Sequence, residues 1–303
     1  MSWRDEFWRS IKSFDTEDKI DLYFYRPAGF LIAKAALPFR ITPSQLTVAG
    51  MFLGVVAGYL FTDNQNAASL VMASLLFILS GIFDSADGQL ARIGGKSSKI
   101  GLVLDGICDN LVFASCYIGC IATVIPIYGM KIWPVAIFAG VCHSFQSALL
   151  DFYNREYLFF GAAKGPDYWN PSLPEAHAEK TRASGGDRIF ASLRHSWIWQ
   201  QSALSTRTDE ERAKLRALVE GPRAAEVQEL YRGLNRTVLR LWRPLGANVH
   251  TAAIILFAFL QRFELYLVLV DIIGLNLWLL GTRFFQRRQD EKLFSALRAK
   301  GLW

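Results

Sequence analysis

Apolar residues along this chain fall in long blocks separated by short polar stretches. Six blocks, at 45–62, 67–83, 100–126, 132–150, 244–261 and 264–283, are each long enough, or nearly so, to cross a bilayer as a helix. The first, second and fifth are the shortest. The pattern predicts an all-α integral membrane protein with six transmembrane helices. Ahead of the first block, Trp3, Phe7, Trp8, Ile11 and Phe14 recur at helical spacing among acids and bases. That spacing predicts an N-terminal interfacial amphipathic helix. A helix packed on the cytoplasmic part of the protein itself would show the same pattern. The opening "MSWRDEFWRS" has no apolar core, so no cleavable signal is expected.

The polar stretches divide the chain into five regions: cytoplasmic or interfacial N-terminal helices at 1–43, four transmembrane helices at 44–154, a cytoplasmic insertion at 155–240, two further transmembrane helices at 241–287 and a cytoplasmic tail at 288–303. The insertion begins rich in Gly, Pro and turn residues and predicts an irregular loop. Thr208 and Glu211 then form a capping-box pattern, so one or two helices should follow. Its many arginines suit a place beside anionic headgroups, although a solvated connector would also read this way.

Charge sets the orientation. Lys and Arg are abundant before the first block, between the second and third, after the fourth and after the sixth, and sparse in the other loops. Both termini are therefore expected in the cytoplasm, with the second and fourth loops. The hydrophobic fraction of 52% and mean hydropathy of +0.20 agree with a membrane protein. The net charge of +6 belongs to the cytoplasmic side of such a protein and calls for no nucleic acid. Four cysteines, Cys108, Cys116, Cys120 and Cys142, lie inside the blocks without metal-ligand spacing and read as small apolar residues.

Chemistry concentrates where the second block ends and the third begins, in "FDSADGQLARIGGKSSKIGLVLDGICDN". Asp84 and Asp87 are three apart, with Gly88, Ala91 and Arg92 continuing that helical face; Gly101, Asp105 and Asp109 are spaced by four. Two helices would thus face each other with paired carboxylates. Each carboxylate at bilayer depth costs roughly 2.5–3.5 kcal/mol on insertion scales, and mutual repulsion adds to that. Hard divalent cations offset both effects, and an all-oxygen set selects Mg²⁺, Mn²⁺ or Ca²⁺ over zinc. Buried ion pairs with Arg92, Lys96 and Lys99 are the structural alternative. A divalent cation transporter is the rival function.

This string resembles the signature of the CDP-alcohol phosphotransferase (CDP-alcohol phosphatidyltransferase) family, D-x2-D-G-x2-A-R-x8-G-x3-D-x3-D, at every defined position. "ITPSQLTVAG" at 41–50 is similar to the family's start of the first span, with Thr47 keeping a hydroxyl and Ser44 replacing the usual Asn. The resemblance implies metal-dependent transfer of a substituted phosphate from a CDP-alcohol to a hydroxyl acceptor, releasing CMP, in phospholipid biosynthesis. It implies Mg²⁺ or Mn²⁺ on Asp84, Asp87, Asp105 and Asp109, with Asp109 also the general base. By the same resemblance Gly88, Ala91, Arg92, Gly101 and Thr47 line the CDP site, a lipid is one substrate, and the enzyme is a homodimer with its active site facing the cytoplasm. For the acceptor, the residues themselves offer Lys99, Arg155, Arg240 and Arg243, cations on the cytoplasmic side. His143 and Gln146 lie one turn apart in the fourth block, and Asp271 is an acid inside the sixth that needs a partner, with His250 one choice.

Overall fold

The computed structural model describes residues 2–94 and 99–303 of the chain. It is all-helical, with no strand among the described residues. The chain divides into two compact units, Met1–Gly140 with Ala247–Ile272, and Val141–Gly246 with Ile273–Trp303.

In the first unit, α1 (Trp3–Ser10) and α2 (Arg26–Ala36) precede three long helices, α3 (Pro43–Leu60), α4 (Ala67–Gly94) and α5 (Lys99–Tyr128). Thr42 and Gln45 cap α3 reciprocally, at 3.3 and 2.8 Å, and Pro43 occupies its first position, where no amide hydrogen is needed. Thus "TPSQ" fixes where the first apolar block becomes helical. Without a hydrophobic drive between helices in lipid, close approach at small residues decides their packing. A Cβ on Gly119 of α5 would lie 1.9 Å from the Gly58 carbonyl oxygen of α3, so the two backbones touch. Phe61, Phe77, Cys116, Ile121 and Tyr266 belong to the core around this contact.

The rest of α6 (Ile132–Glu156), α7 (Leu173–Arg182), α8 (Gly185–Leu204), α9 (Asp209–Val219) and α10 (Ala224–Trp242) build the second unit. In the first unit again, α11 (Ala247–Phe259) and α12 (Phe263–Leu265) lead into a π-helical stretch, Tyr266–Leu275; α13 (Asn276–Ala299), which follows it, belongs to the second unit. The insertion holds more helix than its composition suggests. Ser172 and Glu175 make a capping box for α7, hidden within the Pro-rich run, and the expected one at Thr208 and Glu211 starts α9. A buried network ties it together. Arg207 donates to Asp290 (Nε, 3.0 Å), Glu156 (3.2 Å), Tyr231 (2.7 Å) and Asn235 (3.3 Å), while Arg212 donates to Glu156 at 3.0 Å. Burial opposes the charge on Arg207, but Asp290, Tyr231 and Glu156 hold its pKa above that of an ordinary arginine.

Among the described residues, four helical stretches are long and apolar enough to cross a membrane by length and composition: Pro43–Leu60, Ala67–Gly94, Leu104–Gly161 and Phe263–Ala299. The third contains two helices, parted at the turn Gly129–Lys131, where Gly129 takes a φ of 62°. The fifth expected span folds as the thirteen-residue α11, which rises about 20 Å against the roughly 30 Å of a hydrocarbon core. The expected amphipathic segment is helical only to Ser10. Trp3 and Phe7 pack edge-on against Phe30, yet Trp3, like Trp8 and Phe14, is exposed. Asp271 accepts from the Tyr117 hydroxyl at 2.7 Å, and Tyr117 lies 2.7 Å from Tyr266, which meets His250 at 2.8 Å. Asp271 therefore reaches His250 through two tyrosines. All four cysteines are buried, and none forms a disulfide.

Candidate metal centre and active site

The signature straddles two helices of the first unit. Asp84, Asp87, Gly88, Ala91 and Arg92 occupy the last turns of α4; Gly101, Asp105 and Asp109 occupy the first turns of α5. The residues joining them, 95–98, with Lys96 among them, lie outside the described residues, as does the side chain of Lys99.

Asp84, Asp105 and Asp109 each bring a carboxylate oxygen within 4.8 Å of the others. Ligand oxygens held about 2.0–2.6 Å from one ion lie at most roughly 4–5 Å apart, so the spacing suits a shared cation. Asp105 Oδ1 is buried and has no hydrogen-bond partner, a placement a cation would satisfy. The donor set is all carboxylate, which fits a hard divalent ion. Asp87, expected as a fourth ligand, stands apart from this trio. It is buried, and its Oδ2 accepts from the Thr47 hydroxyl at 2.5 Å, a charge-assisted bond from α3.

Arg92 has a partner the sequence does not reveal. Its Nε donates to the Ser10 carbonyl at the end of α1, and its guanidinium covers Gly88, where a Cβ would sit 3.4 Å from both terminal nitrogens. Gln89 Nε2 donates to Ser10 Oγ at 2.9 Å, with Gln89 and Ser10 both wholly buried. One helical turn earlier on α4, Ser85 accepts from Arg26 at 3.2 Å. Arg26 also makes a two-pronged pair with buried Glu17, at 2.9 Å on each prong. Burial opposes the Arg26 charge, but Glu17, Asp21 and Asp84 together raise its pKa. Glu17, Arg26, Ser85 and Gln89 are thus neighbours of the site that sequence reasoning missed. A face plot of α4 extended across Ser85 and Gln89 would have flagged those two; nothing in the sequence marks Glu17 and Arg26.

Of the cations offered for the acceptor, Arg155, Arg240 and Arg243 fall in the second unit. Arg155 is engaged by the insertion, donating to Asn170 at 3.1 Å and to the carbonyls of Asp167 and Trp169. Arg240 is exposed on α10, and Arg243 is half-buried just past its end.

The family model for CDP-alcohol phosphatidyltransferase matches residues 40–164, which include both halves of the signature. This segment is similar to a CDP-alcohol phosphatidyltransferase domain. Similar curated proteins include an archaetidylinositol phosphate synthase of Pyrococcus horikoshii, 37% identical over 34% of this chain and 50% of its own. A phosphatidylinositol phosphate synthase of Corynebacterium glutamicum is 33% identical over 30% of this chain and 42% of its own. A CDP-diacylglycerol–serine O-phosphatidyltransferase of Helicobacter pylori is 32% identical over 25% and 30%. The chain therefore spans half or less of these relatives' lengths. No solved structure matches it. The four apolar helical stretches, together with this match, support an integral membrane protein.

Proposed function

We propose that the chain transfers a substituted phosphate from a CDP-alcohol to a hydroxyl acceptor and releases CMP, in phospholipid biosynthesis. The observation that carries this reading is the carboxylate trio on a fully matched signature, with Asp105 Oδ1 buried and unsatisfied. Asp84, Asp105 and Asp109, with Asp87 beside them, would hold Mg²⁺ or Mn²⁺. Such an ion, when bound, neutralises pyrophosphate charge and favours in-line displacement.

The chain's own residues do the rest. Thr47 fixes the Asp87 carboxylate. Arg92, held by Ser10 over Gly88, would place its positive charge beside a phosphate, and Ala91 and Gly101 keep that face small. Asp109 accepts the proton of the acceptor hydroxyl as its oxygen attacks the β-phosphorus. The bond from that phosphorus to the CMP oxygen breaks, and CMP carries away the electron pair. We further propose six spans with both termini and the site on the cytoplasmic side, and a homodimer. The names of the relatives favour a lipid-linked CDP donor and a polar acceptor, a phosphorylated alcohol first among those to test.

Purified full-length protein in lipid vesicles, with Mg²⁺ or Mn²⁺ and a panel of CDP-alcohols and acceptors, should release CMP only when metal, one donor and one acceptor are all present. Asp109→Asn should abolish turnover and largely spare nucleotide binding; near-normal turnover would overturn its role as base. Metal uptake into sealed vesicles without CMP release would instead identify a cation transporter.

A further inference from the structure

Helix α8 lies within the arginine-rich insertion, yet one of its faces carries no charge for nearly four turns. Ile189, Ser192, Leu193, Ser196, Trp199 and Ala203 fall on that face at helical spacing. Ile189, Leu193 and Trp199 are 65%, 46% and 50% exposed, far more than isolated apolar residues on a solvated helix would require. The opposite side is occupied. Ala191 and Ile198 are buried, Arg194 pairs with Glu179 of α7 at 3.0 Å, and the His195 ring meets that of His177.

What covers the bare face follows from where α8 touches α6. Gln200 accepts from Ser144 at 2.8 Å, and the Trp199 ring meets Phe145 with centroids 5.7 Å apart. Trp197 and Gln201 donate to Asp151, at 3.4 and 3.2 Å. Asp151 is the first acid after the apolar run of α6, and Ser144 and Phe145 precede it by six or seven residues. That is about 9–10 Å along the helix, towards the middle of a stretch apolar enough to span a bilayer. Val141, one turn further, is also exposed, so the outward apolar surface of α6 runs on into α8. Interfacial helices bury an apolar face about 5–10 Å into the boundary between headgroups and acyl chains, which is this depth. Arg182 and Arg188 are exposed near the start of α8, where they can meet anionic headgroups.

We propose that α8 is a membrane-seated helix, with Ile189, Leu193 and Trp199 inserted among the lipid chains beside α6, so that the insertion rests on the bilayer instead of standing off it. The occupant of this face is lipid, not a second copy of the chain.

Spin labels at Leu193→Cys and Ile189→Cys test this in full-length protein reconstituted in vesicles of phosphatidylcholine and phosphatidylglycerol. The four native cysteines are buried, and unsubstituted protein gives the labelling blank. Val141→Cys serves as the lipid reference and Lys214→Cys, on the exposed side of α9, as the aqueous one. Accessibility to oxygen relative to a water-soluble nickel chelate should be several-fold higher at 189 and 193 than at 214, and comparable to that at 141. Nickel-dominated relaxation at 189 and 193, with 141 still oxygen-dominated, overturns the proposal and leaves the spans intact. Nickel dominance at 141 as well overturns both. Labels shielded from both reagents and broadened by dipolar coupling would mean that a second copy covers the face, which also overturns it. As a check free of labels, Trp199→Phe should remove part of the tryptophan fluorescence that brominated lipids quench; unchanged quenching counts against the proposal.

Discussion

Replacing Arg207 by methionine tests how the insertion is held. The guanidinium is wholly buried and donates to Asp290, Glu156, Tyr231 and Asn235 at once. Methionine fills similar volume but supplies no charge and no donor. Glu156 keeps Arg212, whereas Asp290 retains only neutral partners, Thr206 at 2.5 Å and Gln286 at 2.9 Å. Removing one partner from a buried pair costs about 3–5 kcal/mol, because the other charge stays behind uncompensated. At about 4 °C per kcal/mol for a unit of this size, the midpoint should fall by on the order of 10–20 °C. Thermal unfolding in detergent, followed by near-ultraviolet circular dichroism, measures it. Arg207→Lys should recover little, since a single ammonium cannot reach four acceptors. Arg207→Met with Asp290→Leu should recover a good part, because the orphaned acid is gone. A loss under about 1 kcal/mol in the single variant would refute the reasoning, since it would mean that Asp290 is not held as a charge against Arg207.

Three further outcomes are expected. Thr47→Val should lower kcat/KM for the CDP-alcohol roughly 10- to 150-fold, the worth of a hydrogen bond to a charged group of about 1.5–3 kcal/mol, while Thr47→Ser stays near the parent enzyme; equal values for Val and Ser would remove Thr47 from the site. Gly119→Ala should destabilise the protein by about 1–3 kcal/mol or more, since its methyl would strike the Gly58 carbonyl, and an unchanged midpoint would show that α3 and α5 part freely. Asp105→Asn should weaken Mn²⁺ binding at least tenfold by equilibrium dialysis, without lowering the melting midpoint of metal-free protein; retained Mn²⁺ affinity would move the metal elsewhere.

Much of the site is legible in the sequence because its determinants are local. Spacings of three and four put Asp84 and Asp87 on one face and Asp105 and Asp109 on another, and the two pairs lie close together in the sequence. Thr47 is legible only through family resemblance, since its partner Asp87 is forty residues away. Ser10, Glu17 and Arg26 are illegible for the same reason: nothing in a run of mixed charges says that a carbonyl at position 10 will accept from an arginine at 92. The spans read well where apolar runs are long, and poorly at α11, whose helix ends before the apolar run does. The insertion is the largest miss. Pro and Gly density suggests loop, but Pro174 sits in the first turn of α7 and Gly185 at the head of α8, where neither breaks a helix.

The clasp between Ser10 and α4 bears on the order in which the chain assembles. Residues 3–10 leave the ribosome some eighty residues ahead of Arg92, a delay of about 4–16 s at 5–20 residues per second. Trp3 and Phe7 find Phe30 within the first few seconds, so an aromatic contact can form early. The polar clasp cannot close until α4 has been made and inserted. The N-terminal helix therefore waits, half-packed, with Trp8 and Phe14 available to the membrane surface. The last polar link of the first helix to close, Arg92 to Ser10, also holds a residue of the candidate site, so synthesis of that face and capture of this helix finish in the same step.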